Sequence, residues 1–167
     1  MENYSISLPS YSIGDRVYDK IGEICSPFGK KVVCIGGKTA MSKVKELIVE
    51  SVAATELEIL DFVWYGGESS YENVEKLKNN EAVKEADMIF AIGGGKALDT
   101  AKALAYVTGL TVFTFPTIAS NCAGTTAVSI MYNINCCCNN YYEKRKQNIW
   151  NSNYCCWCGI SNRFMLS

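Results

Sequence analysis

The stretch Gly93-Gly94-Gly95-Lys96-Ala97-Leu98-Asp99-Thr100-Ala101-Lys102 constrains this chain most, because a glycine turn there joins the apolar run 88–92 to a segment of helical pattern. The short run Met-Ile-Phe-Ala-Ile reads as a buried strand, and Ala97, Leu98, Ala101, Leu104 and Ala105 then recur at helical spacing. Glycines at such a handover let the backbone approach a bound anion, while the unpaired N–H groups and the dipole of the first helical turn favour negative charge. A dinucleotide pyrophosphate suits this turn. The simpler alternative is a glycine-rich βα turn that holds no ligand.

Two better-known phosphate motifs do not match. A P-loop needs a glycine five residues before the Gly-Lys glycine and a Ser or Thr after the lysine. Gly95-Lys96 is followed by Ala97 and has Phe90 at the earlier position, and Gly37-Lys38-Thr39 has Val32 there. The ordinary Rossmann fingerprint, counted from Gly93, would put its third glycine at Leu98. Hydrolysis of ATP or GTP is therefore disfavoured.

The rest of the chain supplies a setting for the turn. Strand-like runs at 31–35, 57–64, 88–92 and 111–115 alternate with helix-like stretches at about 14–25, 39–52, 70–79 and 96–107. Such alternation predicts an α/β fold, a doubly wound parallel sheet with helices on both faces. Ligands of these sheets bind beyond the carboxyl ends of the strands. That rule places Gly36-Gly37, Gly66-Gly67, 93–96 and 116–126 along one rim.

Several blocks resemble the iron-containing (metal-dependent) alcohol dehydrogenase superfamily, in particular its glycerol dehydrogenase branch. They are 93–102, Pro116-Thr117-Ile118-Ala119-Ser120, the loop Tyr65-Gly66-Gly67-Glu68-Ser69, and Ala127-Val128-Ser129-Ile130-Met131-Tyr132, in the family's order. The resemblance covers roughly residues 3–132. It implies the Rossmann-like N-terminal domain of a dehydroquinate synthase-like fold, without the helical C-terminal domain. The activity implied is oxidation of a small alcohol, polyol or hydroxy acid by hydride transfer to NAD or NADP.

By the same resemblance, Gly94, Gly95 and Lys96 cradle the pyrophosphate, with Asp99 on the first turn of the helix that follows. Thr117 and Ser120 line the path to the nicotinamide, and Thr126, Val128 and Tyr132 match further cofactor contacts. Simpler roles are open to some of them: Asp99 suits a helix N-terminus on dipole grounds, Lys102 reads as a surface lysine, and Tyr132 as a half-buried strand aromatic.

The chain also departs from the family. Gly37 stands where many members carry an acidic residue that holds the adenosine ribose, which leaves the choice between NAD and NADP open. Cys122 takes the place of an aspartate near the polyol; without a histidine to activate it, a small packing residue is the simpler reading. The family's zinc or iron is held by one aspartate and two or three histidines beyond the nucleotide domain. This chain has no histidine, so neither ion is expected to be bound in the family manner.

From about residue 133 the composition changes. Cys136, Cys137, Cys138, Cys155, Cys156 and Cys158 fall there among many asparagines, and Lys144, Arg145, Lys146 and Arg163 face Glu143 alone. Three consecutive cysteines do not converge readily on one tetrahedral ion, and a disulfide framework does not suit a reducing compartment. We therefore divide the chain into a dinucleotide-binding domain, 1–132, and an atypical tail, 133–167, expected to be read in a shifted frame. Its last residues, Arg163-Phe164-Met165-Leu166-Ser167, resemble the family segment that precedes the first metal ligand. On this view the chain is a truncated, inactive half that carries the cofactor site; the alternative is a dinucleotide-binding module or a non-catalytic remnant.

Composition sets the remaining expectations. With 49% hydrophobic and 20% charged residues the chain suits one globular core. A net charge of -1 offers no basic face for nucleic acid. No apolar run approaches the roughly 20 residues that span a bilayer, and the first residues do not read as a signal peptide. A cytoplasmic protein with no membrane partner is expected, with a homo-oligomer left open.

Overall fold

The computed structural model describes residues 10–119, 122–132, 145–148 and 154–158. Strand β1 (Ser10–Ile13) leads through a 3₁₀ turn (Val17–Lys20) into the short helix α1 (Ile21–Cys25). Then follow β2 (Lys31–Gly36), α2 (Lys38–Ala53), β3 (Glu58–Trp64), α3 (Tyr71–Lys78), α4 (Glu81–Glu85), β4 (Met88–Gly93), α5 (Gly95–Thr108) and β5 (Thr111–Pro116). Beyond a further 3₁₀ turn (Cys122–Gly124) come β6 (Val128–Met131), β7 (Arg145–Asn148) and β8 (Tyr154–Cys158).

Six strands form a parallel sheet in the order β1-β8-β5-β4-β2-β3, and β6 pairs with β7 in a separate antiparallel ribbon. The four strands expected from sequence are β2 to β5, with ends displaced by a single residue at most. The runs of β2 and β4 are continuous because both faces of a parallel sheet are covered, whereas β3, at the sheet edge, is interrupted by Asp61 and only partly buried. Successive residues point to opposite faces. Val33, Ile35, Ile89, Ala91 and Val112 pack with Leu98, Ala101 and Leu104 of α5 and Val74 and Leu77 of α3. Val32, Cys34, Met88, Phe90, Ile92, Phe113 and Phe115 pack with Met41, Val44, Ile48 and Val52 of α2 and Ile21 of α1.

Three features depart from expectation. The helix read over 14–25 is split between the 3₁₀ turn and α1, α4 is additional, and the backbone of 154–158 lies as β8 between β1 and β5. The remaining tail cysteines singled out in the sequence, 136–138, lie outside the described residues. Among the described residues no helix is long and apolar enough to cross a membrane.

The strand order positions the site. β2 is followed by α2 and then by β3 on one side, whereas β4 is followed by α5 and then by β5 on the other, and β2 and β4 are direct neighbours. The winding direction therefore reverses between β2 and β4. In open α/β sheets that switch point opens a crevice at the carboxyl ends of the strands.

Candidate functional site

Two glycine turns meet at this switch point. Gly37 is the N-cap of α2 and Gly94 that of α5, and neither helix start receives a side-chain cap. The first-turn N–H groups of both helices therefore lack the usual side-chain acceptor, and both positive dipole ends face one rim. The turns are knit together by the Gly37 N–H, which donates to the Ile92 carbonyl at 3.3 Å.

Close approach of the two strands dictates small residues. A Cβ on Gly36 would lie 2.3 Å from the Ile92 carbonyl oxygen, and Gly93 has φ +143° with its Cβ position 3.0 Å from the Ala97 Cβ. Both positions require glycine on steric or conformational grounds. Gly94 differs, since a Cβ there would touch only the Ile118 side chain, at 3.3 Å.

Lys96, exposed on the first turn of α5, donates to Glu68 Oε1 at 2.6 Å. This hydrogen bond holds the Lys96 ammonium above the usual lysine range, with the carboxylate charge and the nearby Tyr65 and Tyr132 phenols acting in the same direction. Glu68 belongs to the loop after β3, which is pinned by the Tyr65 hydroxyl on the Gly67 carbonyl at 2.7 Å and the Asn73 amide on the Glu68 carbonyl at 2.8 Å. Burial pushes the Tyr65 hydroxyl up, so it remains a neutral donor.

On the far side of the rim, the Thr117 N–H donates to the Gly93 carbonyl at 3.1 Å, joining the end of β5 to the glycine turn. Cys122 is an exposed free thiol whose carbonyl accepts from the Thr125 N–H at 3.0 Å and the Thr126 hydroxyl at 3.0 Å. Val128 is partly exposed at the start of β6, and the Tyr132 N–H donates to the Ser69 carbonyl at 2.7 Å. Gly37, Gly94, Gly95, Lys96 and Thr117 thus surround the switch point. Thr126, Val128 and Tyr132 lie along a segment that crosses from the end of β5 to the Ser69 loop. Ser120 falls outside the described residues.

Lys102 corrects the sequence reading. It is not a surface lysine: its side chain is fully buried, and its ammonium lies 2.8 Å from Asp99 Oδ1. It also donates to the carbonyls of Thr126, at 3.2 Å, and Val128. Asp99 likewise departs from expectation: it stands past the first turn of α5, which holds no acidic residue, and is turned inward, with its backbone carbonyl accepting from the buried Ser129 hydroxyl. The charge made Lys102 read as exposed; its i, i+3 spacing from Asp99 was the signal that the two belong together. Nothing in the local pattern marked Ser129.

Comparison with known proteins bears on the family and the fold. The model of the family "Iron-containing alcohol dehydrogenase" matches residues 9–142. A glycerol dehydrogenase of Escherichia coli O6:H1 is 33% identical over 122 residues, which cover 73% of this chain and 33% of that protein. A glycolaldehyde reductase of Halobacterium salinarum is 32% identical over 74% of this chain and 33% of its own length. The chain therefore spans about one third of these relatives. The crystal structure of glycerol dehydrogenase from Schizosaccharomyces pombe superposes with a TM-score of 0.75 at 21% identity, over 95% of this chain and 39% of that one, which shows the shared fold.

Proposed function

Because the chain belongs to the iron-containing alcohol dehydrogenase family, we propose that residues 1–132 bind NAD or NADP and form the cofactor-holding part of an enzyme that oxidises a small alcohol, polyol or hydroxy acid. The observation that carries this reading is the pair of helix starts led by Gly37 and Gly94 at the switch point, with the strands too close there for any side chain on Gly36. Gly94, Gly95 and Lys96 receive the pyrophosphate, the Gly37 side takes the adenosine half, and Thr117, Ser120, Thr126, Val128 and Tyr132 serve the nicotinamide half. Asp99 acts from below, through its ion pair. The cofactor, when bound, supplies the hydride acceptor. The chain's own residues do the binding and orienting: the first-turn N–H groups and the Lys96 ammonium meet the phosphate charge, and the hydrogen bond from Lys96 to Glu68 holds that ammonium in place.

The family's metal does not fit the residues present. The chain has no histidine, and no group of three or more His, Cys, Asp or Glu able to hold an ion occurs among the described residues. We assign no metal-dependent step to it and read turnover as requiring ligands that these residues do not supply. The missing imidazoles favour a second reading, a dinucleotide-binding module without turnover of its own. We read residues 133–167 as translated in a shifted frame, with the backbone of 154–158 nevertheless built into the main sheet as β8; resequencing of the gene tests this reading: an unbroken frame encoding this tail, with no histidine motifs in the alternative frame downstream, overturns it.

Titration of the full chain with NADH and NADPH, followed by calorimetry, tests the binding site. Binding that falls about tenfold or more in Lys96→Glu supports it. Failure of the folded chain to bind either cofactor overturns it.

A further inference from the structure

Lys102 is the least expected charge among the described residues. Lysine is almost never fully buried unless paired, and an apolar side chain of similar volume would fill such a site at lower desolvation cost. Its ammonium has three donors and three neighbours: Asp99 Oδ1 and the carbonyls of Thr126 and Val128. Two of the three neighbours are backbone groups of a short stretch that reaches β6 from the turn at Cys122–Gly124. One residue further, the Ser129 hydroxyl binds the Asp99 carbonyl, so α5 grips the stretch at 126, 128 and 129.

The opposite end of the same segment is held from another direction. The Ser69 hydroxyl donates to the Ile130 carbonyl at 2.7 Å, and the Tyr132 N–H donates to the Ser69 carbonyl. Helix α5 is therefore the shared support of two parts of the rim: its first turn carries Gly95 and Lys96, and its buried face carries Asp99 and Lys102.

We propose that Lys102 is a positioning residue that, together with Ser129, fixes the 126–132 segment to α5 and so sets its spacing from the phosphate-binding turn. The inference rests on the cofactor reading above. Its consequence is selective: a ligand that spans both parts of the rim depends on the clamp, whereas one that occupies the turn alone does not.

The test compares binding of ADP with binding of NADH or NADPH, whichever the wild type prefers, in the full-length wild type, Lys102→Met and Ser129→Ala, each checked for folding by circular dichroism. Lys102→Met is expected to weaken dinucleotide binding about tenfold or more while ADP binding stays within about twofold. Ser129→Ala is expected to show a smaller loss with the same selectivity, and it keeps the test open if Lys102→Met does not fold. A folded variant that binds both ligands as the wild type does, or loses both in parallel, overturns the proposal. A wild type that binds neither ligand overturns the cofactor reading, and the proposal with it.

Discussion

The ammonium of Lys102 and the carboxylate of Asp99 form an ion pair 2.8 Å across, one turn apart on α5, with the lysine wholly out of solvent. Removing one partner leaves the other charge buried and uncompensated, which typically costs about 3–5 kcal/mol. Lys102→Met is expected to lower the urea midpoint by a corresponding amount. The double variant Asp99→Leu/Lys102→Met is expected to recover much of that loss, because it leaves no lone charge behind. A double-mutant cycle in urea measures the coupling.

The two rim glycines Gly36 and Gly94 separate folding from binding. A methyl on Gly36 runs into the Ile92 carbonyl, so Gly36→Ala is expected to destabilise by roughly 1–3 kcal/mol through overpacking. Gly94→Ala meets only the flexible Ile118 side chain and is expected to unfold at nearly the wild-type denaturant concentration. Its methyl nevertheless stands at the proposed pyrophosphate, so cofactor affinity is expected to fall. Melting curves and a cofactor titration on the same two variants check both halves of this statement.

Cofactor choice is expected to respond at Gly37. The residue has an ordinary φ of -76°, and a Cβ there would meet nothing closer than 3.8 Å. Gly37→Asp should therefore fold as the parent does. Its carboxylate would repel a 2′-phosphate, with like charges about 4 Å apart in water costing about 1 kcal/mol. Affinity for NADPH is expected to fall several-fold relative to NADH, measured as the ratio of the two dissociation constants.

Acid stability is expected to depend on Asp87. Its carboxylate accepts the N–H groups of Lys31, at 2.9 Å, and Lys30, at 2.8 Å, tying the start of β2 to the residue before β4. Those backbone bonds hold its pKa below the usual carboxylate range. A folded-state pKa lower than the unfolded value of about 3.9 gives stability that is complete above that value and is lost as pH falls through the folded one. Asp87→Asn is therefore expected to be less stable than wild type near neutrality. The difference should shrink below about pH 4. Urea midpoints measured from neutral to acid pH show whether the curves converge.

The legible parts of this fold are those where one short segment holds all the information. The runs 32–35 of β2 and 88–92 of β4 are apolar without interruption because both of their faces are covered, β5 breaks its run only at Thr114, and the Gly93 turn declares itself by its own residues. Strand order is not of that kind. That β4 lies beside β2, and that the winding reverses there, depends on pairing between distant segments. Lys102 was misjudged for a related reason: its acceptors on Thr126 and Val128 are backbone carbonyls, which no side-chain pattern reveals. Glu68 was visible as part of a loop motif, yet its partner Lys96 is set by the packing of that loop beside α5.

The reversal of winding between β2 and β4 has a thermodynamic corollary. Each half of the rim comes from a different βα unit, so no single unit can present the crevice; it exists only once the two units are side by side. A ligand of that crevice then has nothing comparable to bind in the unfolded chain, and it stabilises the sheet according to its excess over Kd, by about 2.7 kcal/mol at a hundredfold excess. Cofactor concentration would thereby act as a thermostat for the domain, raising its melting temperature in step with the logarithm of the ligand supplied.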